Sequence, residues 1–146
     1  MNYFKEAEKV LYHRKALEDA LANLERRLGR IVSQSIPSEV TAANYSKDYI
    51  SSGQVNDTLN ECIDVVQTKF MIEDTRIEIQ EIDKVLSQLV PEFKEILELW
   101  YIEGLSKEKI CEQVDRYSTK TIYSKRNAAV EKFAVLYFGA PALKAM

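Results

Sequence analysis

Residues that break helices are scarce in this chain. Four glycines and three prolines occur among 146 residues, and they stand near the ends of periodic segments. That scarcity disfavours a sheet-rich fold with many turns and favours long helices. The two cysteines, Cys62 and Cys111, are far apart and lack any companion at ligand spacing. They are expected to be reduced, buried small hydrophobes, which removes a disulfide framework and a cysteine metal site. The one histidine, His13, lies beside Arg14 and Lys15 with no acid or cysteine at ligand spacing. It reads as a surface residue rather than a metal ligand or base. No apolar run approaches the roughly 20 residues that a bilayer requires, and no basic-then-apolar leader opens the chain. Neither a membrane span nor a secretory signal is expected. There is also no phosphate-cradling glycine loop and no glycine-framed nucleophile. No catalytic, cofactor-binding or metal residues are nominated, and neither an enzyme nor a small-molecule substrate is expected.

What is present is enough apolar material for a core, 46% of residues, and a charge gradient hidden by a net charge of −3. Residues 1–31 carry seven basic and five acidic groups, whereas residues 55–90 carry three basic and eight acidic ones. Residues 105–146 carry eight basic and four acidic groups. A polyanion would be held at that basic C-terminal end.

Residues 3–31 predict one long helix. Tyr3, Ala7, Val10, Leu17, Leu21, Leu24, Leu28 and Ile31 recur at alternating three- and four-residue steps, broken only at Arg14. Residues 32–56 lose the period and fill with Ser, Thr, Asn and Gly around Pro37. A mobile connection is expected there, with Ile36, Val40, Tyr45, Tyr49 and Ile50 as possible anchors. A second long helix follows from an Asp57 cap to Leu89. One of its seams is Cys62, Val65, Thr68, Ile72, Thr75, Ile79, Ile82, Leu86 and Leu89. A second row holds Leu59, Ile63, Val66, Phe70 and Ile77. Either the two rows widen one intramolecular stripe, or the second serves another subunit, because a two-helix hairpin alone has little core.

From Pro91 the texture changes to short, punctuated helices. Pro91 suits a first helical position, Gly104 a left-handed helix end, and Ser106 and Ser118 the caps of the next two helices. The last helix is expected to run to about Phe138 and to stop at Gly139 and Pro141. Ile110, Cys111 and Val114 share one face of the short helix, and Ile122, Ala129, Phe133 and Leu136 share one face of the long one. Packed together, these faces would make the core of a helix-turn-helix. Trp100, Tyr101, Tyr137 and Phe138 read as core aromatics rather than base-stacking platforms. The expected architecture is therefore all-α: a long antiparallel helical hairpin over residues 1–90, then a trihelical helix-turn-helix domain over residues 91–146.

That packing leaves the other side of the final helix open at its first turns. Ser118, Thr119, Lys120, Tyr123, Ser124 and Asn127 are candidates to contact bases in a major groove of double-stranded DNA. Lys107, Arg116, Lys125 and Arg126 flank them as candidate phosphate contacts. Lys125 and Arg126 also stand at the edge of the buried face, where either can pair with Glu108 or Glu112.

The stretch from Ser106 to Val114, followed by Ser118, Thr121 and Ile122 and then Arg126, Ala129 and Phe133, resembles region four of bacterial sigma factors. Asp115 occupies a turn where many such motifs carry glycine. The whole chain resembles small phage transcriptional regulators of the RinA and ArpU type, most specifically in STKTIYSKRNAAVEKFAVLYFG. The resemblance implies a regulator that activates late or packaging genes of a phage or prophage in the cytoplasm of a bacterial host. The N-terminal hairpin is then expected to mediate homo-oligomerisation or contact with RNA polymerase. The competing expectation is a helical interaction adaptor that contacts polymerase or a packaging component and never reads bases.

Overall fold

The computed structural model describes residues 1–35 and 52–145, and all regular structure among them is helical. Six helices follow in order: α1 (Tyr3–Ser35), α2 (Ser52–Gln88), α3 (Pro91–Leu97), α4 (Lys107–Gln113), α5 (Thr119–Phe138) and α6 (Ala140–Ala145). Both long helices extend further than their apolar period suggests, so Asp57 lies inside α2 and not at its start. The expected mobility around Pro37, with its candidate anchors, concerns residues outside those described. Among the described residues no helix is long and apolar enough to cross a membrane.

Local chemistry explains most of the boundaries. Pro91 opens α3, where its missing N–H breaks no helical bond. The Ser106 hydroxyl accepts from the Lys109 N–H at the start of α4, and the Ser118 hydroxyl accepts from the Thr121 N–H at the start of α5. Gly139 takes a φ of 79° that ends α5, but α6 follows immediately, a helix the sequence pattern did not indicate. A second departure is a π-helical turn over Glu98–Ile102 that continues α3, closed by the Glu103 N–H on the Glu98 carbonyl at 2.9 Å. Gly104, at φ 67°, then stops the helix.

The chain divides into two compact units. One comprises Met1–Glu18 with Glu78–Met146, and the other comprises Asp19–Ile77. This differs from the expected boundary at residue 90, because the two ends of the chain share one core. That core joins Ala7 and Leu11 of α1, Ile82, Val85 and Leu86 of α2, Leu97, Tyr101, and Ala129, Val130, Phe133 and Ala134 of α5. Arg14, which interrupts the α1 seam, is accommodated there by a forked pair: its Nε and Nη2 each donate to Asp83 at 2.8 Å. That hydrogen-bonded carboxylate raises the already basic guanidinium further.

A second, smaller cluster packs Leu99, Ile110, Val114 and Ile122 together, with Leu105, Cys111 and Tyr117 at its margin. The expected joint face of α4 and α5 is therefore only partly realised. Ile122 meets the α4 residues, whereas Ala129 and Phe133 belong to the core shared with α1 and α2. The π turn serves both clusters. Its wider winding lets Leu99 face the α4 side while Leu97 and Tyr101 face the main core, with Trp100 touching both.

In the Asp19–Ile77 unit, Thr68 and Ile72 of α2 are buried, and Leu21, Leu24, Leu28 and Ile31 of α1 are half-buried. Arg76 reaches Glu25 at 3.3 Å and Glu73 at 2.9 Å. Cys62 is exposed and Cys111 half-buried, which corrects the expectation that both are interior. Cys62 falls at the exposed beginning of the α2 seam, where the burial that starts at Val65 has not yet begun.

Candidate nucleic-acid interface

The start of α5 is an amphipathic surface set by helical spacing. Ile122, Arg126, Ala129, Val130 and Phe133 turn inward, and Thr119, Lys120, Tyr123 and Ser124 turn outward. The outward residues join Lys107 and Glu108 of α4 around a shallow depression. Lys107 holds its ammonium 4.9 Å from the centre of the Tyr123 ring, a cation–π contact that links the two helices at the surface. Arg116, in the turn before α5, is exposed, as is Ser118, whose hydroxyl is already engaged as the cap.

Beneath this surface lies the network that fixes it. Arg126 is 7% exposed and belongs to the interior, which removes it from the expected phosphate contacts. Its Nη1 donates to Glu8 at 2.6 Å and to the Tyr101 hydroxyl at 2.9 Å, and that hydroxyl donates to Glu8 at 2.8 Å. The guanidinium carbon lies 4.7 Å from the Trp100 ring centre and 4.8 Å from that of Tyr123. Its Nε has no hydrogen-bond partner. Burial alone would lower this guanidinium, but the hydrogen bond from Arg126 to Tyr101 and the charge of Glu8 outweigh it and raise it. Burial likewise pushes the Tyr101 hydroxyl well above the ordinary phenol range. A charge so enclosed has to be paired, and Glu8 supplies the partner.

Lys125 is also committed, though at the surface. It pairs with Glu92 of α3 and sits 4.8 Å from the Tyr117 ring centre, and Tyr117 donates a short hydrogen bond to the same carboxylate. The contact therefore uses Glu92 rather than the Glu108 or Glu112 considered from sequence. Asn127 is half-buried and lies outside the depression. Of the ten candidate residues, five thus surround one depression: Lys107, Thr119, Lys120, Tyr123 and Ser124.

Glu8, Glu92, Trp100, Tyr101 and Tyr117 were not singled out for this surface, although they position it. Glu8 and Arg126 are 118 residues apart in sequence, so no local pattern links them. One signal was available: Ile122, Arg126, Ala129 and Phe133 follow four- and three-residue steps along one helix face. An arginine within such a stripe is inside unless the stripe ends.

Chemically, the open surface offers hydroxyl donors and acceptors, one amphipathic phenol and unpaired ammonium groups. It contains no nucleophile–base pair. Comparison with protein families, curated proteins and solved structures returns no match for this chain.

Proposed function

We propose that the protein binds duplex DNA and regulates transcription, with α4 and α5 acting as a helix-turn-helix and the first turns of α5 entering the major groove. One observation carries this reading. Thr119, Lys120, Tyr123 and Ser124 are exposed at the capped start of a 20-residue helix whose opposite face is locked into the core. Rigid presentation is what base reading requires, since a groove contact tolerates little error in position. The helix start adds backbone N–H groups and partial positive charge, which suit a phosphate.

Lys107, Arg116 and Lys120 serve as the phosphate contacts, and Thr119, Tyr123 and Ser124 reach base edges. The likeness of Ser118, Thr121, Ile122, Ala129 and Phe133 to sigma region four supports the motif. The likeness to RinA- and ArpU-type regulators supports the narrower role of activating phage or prophage late genes. The Arg14–Asp83 pair, and separately the Glu25–Arg76 pair, support α1 and α2 as an antiparallel hairpin.

The test is fluorescence anisotropy with duplexes covering the gene's own upstream and neighbouring regions. Replacing Lys120 and Tyr123 together with alanine is expected to weaken binding by about a hundredfold, from roughly 1–3 kcal/mol per base contact. With three phosphate contacts, the log–log slope of affinity against salt is expected near −2.7 per reader, from about −0.9 per phosphate. Undiminished binding by the double variant would sink the reading surface. A chain that ignores duplex DNA but captures polymerase or a packaging component would establish the adaptor in its place.

A further inference from the structure

The α2 helix carries two apolar rows on nearly opposite sides, and only one of them is covered. Val65, Thr68, Ile72 and Thr75 are half-buried or buried. Leu59, Ile63, Val66, Phe70 and Ile77 are exposed by 57%, 44%, 51%, 67% and 46%. Their steps of four, three, four and seven residues are those of a heptad seam with one position, Glu73, taken by an acid. Such a row on an isolated chain leaves large side chains in water, each worth about 1.5–3 kcal/mol when buried.

The borders of the row indicate what covers it. Lys69 and Arg76 line one border, and Asp74, with the neutral Asn60 and Gln67, lines the other. Glu73 sits between the two cations, one turn from each, and is ion-paired to Arg76 at 2.9 Å. We infer that this row is a self-association seam, closed by the same row of a second copy lying parallel to it. Parallel pairing sets the basic border of each copy against the acidic border of the other, with Lys69 facing Asp74 of the second copy. By two-fold symmetry the contact is made twice. The two Glu73 carboxylates, the two Asp74 carboxylates, and the Lys69 and Arg76 cations of both copies then balance in charge.

Antiparallel pairing through the same stretch brings like borders together, Lys69 and Arg76 against themselves. An antiparallel pair centred between Ile63 and Val66 escapes that repulsion only by abandoning Ile77. The seam is therefore complementary to itself in one orientation, which a surface for a foreign partner has no reason to be. This inference stands independently of DNA binding.

Sedimentation equilibrium of the full chain without DNA tests it. The wild type is expected to be a dimer that dissociates on dilution. Phe70→Glu is expected to be monomeric at concentrations where the wild type is paired, with its helix content by circular dichroism unchanged. Lys69→Glu and Asp74→Lys are each expected to weaken the dimer by about tenfold, because two attractive contacts become repulsive. Combining them restores it, since the pair is only reversed. A wild type that is monomeric at every concentration, or a Phe70→Glu dimer as tight as the wild type, overturns the seam. Additive weakening in the charge-swapped double variant overturns the parallel orientation.

Discussion

Helices α5 and α2 each have one covered and one open side, and they differ in what the open side is made of. On α5 the open residues are Thr119, Lys120, Tyr123 and Ser124, which lose nothing by remaining solvated until a polar ligand arrives. On α2 they are Leu59, Ile63, Val66, Phe70 and Ile77, which gain by leaving water. Burial alone therefore does not separate structural from functional surface here. The chemistry left uncovered does, pointing to a phosphate-bearing ligand for one helix and to another apolar row for the other. The covered sides differ as well. That of α2 is held by apolar packing and Thr68, whereas that of α5 contains an enclosed cation, and the largest effects are expected there.

Glu8→Ala should break the comparison most severely. It leaves the Arg126 guanidinium interior with only the Tyr101 hydroxyl as an oxygen partner. Stripping one member of such a pair costs about 3–5 kcal/mol. Urea denaturation should show this as a lower midpoint with an unchanged slope. If Glu8→Ala unfolds at the wild-type midpoint, the open face of α5 is not held in place by this network.

Gly104→Ala comes next. A Cβ there meets open space, so the expected loss of about 1–2 kcal/mol comes from the φ of 67° alone. Ser118→Ala should cost about 1 kcal/mol by removing the acceptor for the Thr121 N–H. It bears directly on the contrast between the helices, because it loosens the turn that presents Thr119 and Lys120. DNA affinity should therefore fall in this variant, while the α2 self-association measured without DNA stays as it was. Equal losses in both would mean that the two open faces are not independent.

These caps and stops were legible in the sequence because each depends on residues within one turn of itself. Pro91, Gly104, Ser106, Ser118 and Gly139 all act locally. The covered row of α2 from Val65 to Leu89 was legible for a related reason, since a long period averages out single exceptions such as Thr68 and Thr75. What was not legible needed the third dimension. Tyr3 and Ala7 gave no sign that α1 would complete a core with Phe133 rather than only pair with α2. The π turn at Glu98–Ile102 has no residue signature, because it resolves a competition between two clusters for Leu99 and Tyr101. Arg126 was misplaced because charge was weighed above its position in the Ile122–Ala129–Phe133 stripe. A buried cation becomes acceptable only through Glu8, from the far end of the chain.

The smallest expected effect concerns the border of α5, where Lys125 meets Glu92 and Tyr117. The hydrogen bonds from Lys125 and Tyr117 hold the Glu92 carboxyl below its ordinary range. Bonding to Glu92 in turn raises both the Lys125 ammonium and the Tyr117 phenol. A carboxylate lowered by folding stabilises the fold above its unfolded pKa of about 4.3 and loses that contribution as pH falls through the folded value. An ammonium or phenol raised by folding contributes below about 10 and loses it as pH rises through its own folded value. The contact is thus complete between roughly pH 5 and 9 and fails on both sides. Glu92→Gln should flatten the acid limb of the melting temperature against pH, and it should lower the plateau far less than Glu8→Ala does, since all three groups face water. An acid limb as steep in Glu92→Gln as in the wild type would assign the acid sensitivity to other carboxylates, with Asp83 and Glu18 around Arg14 the first to examine.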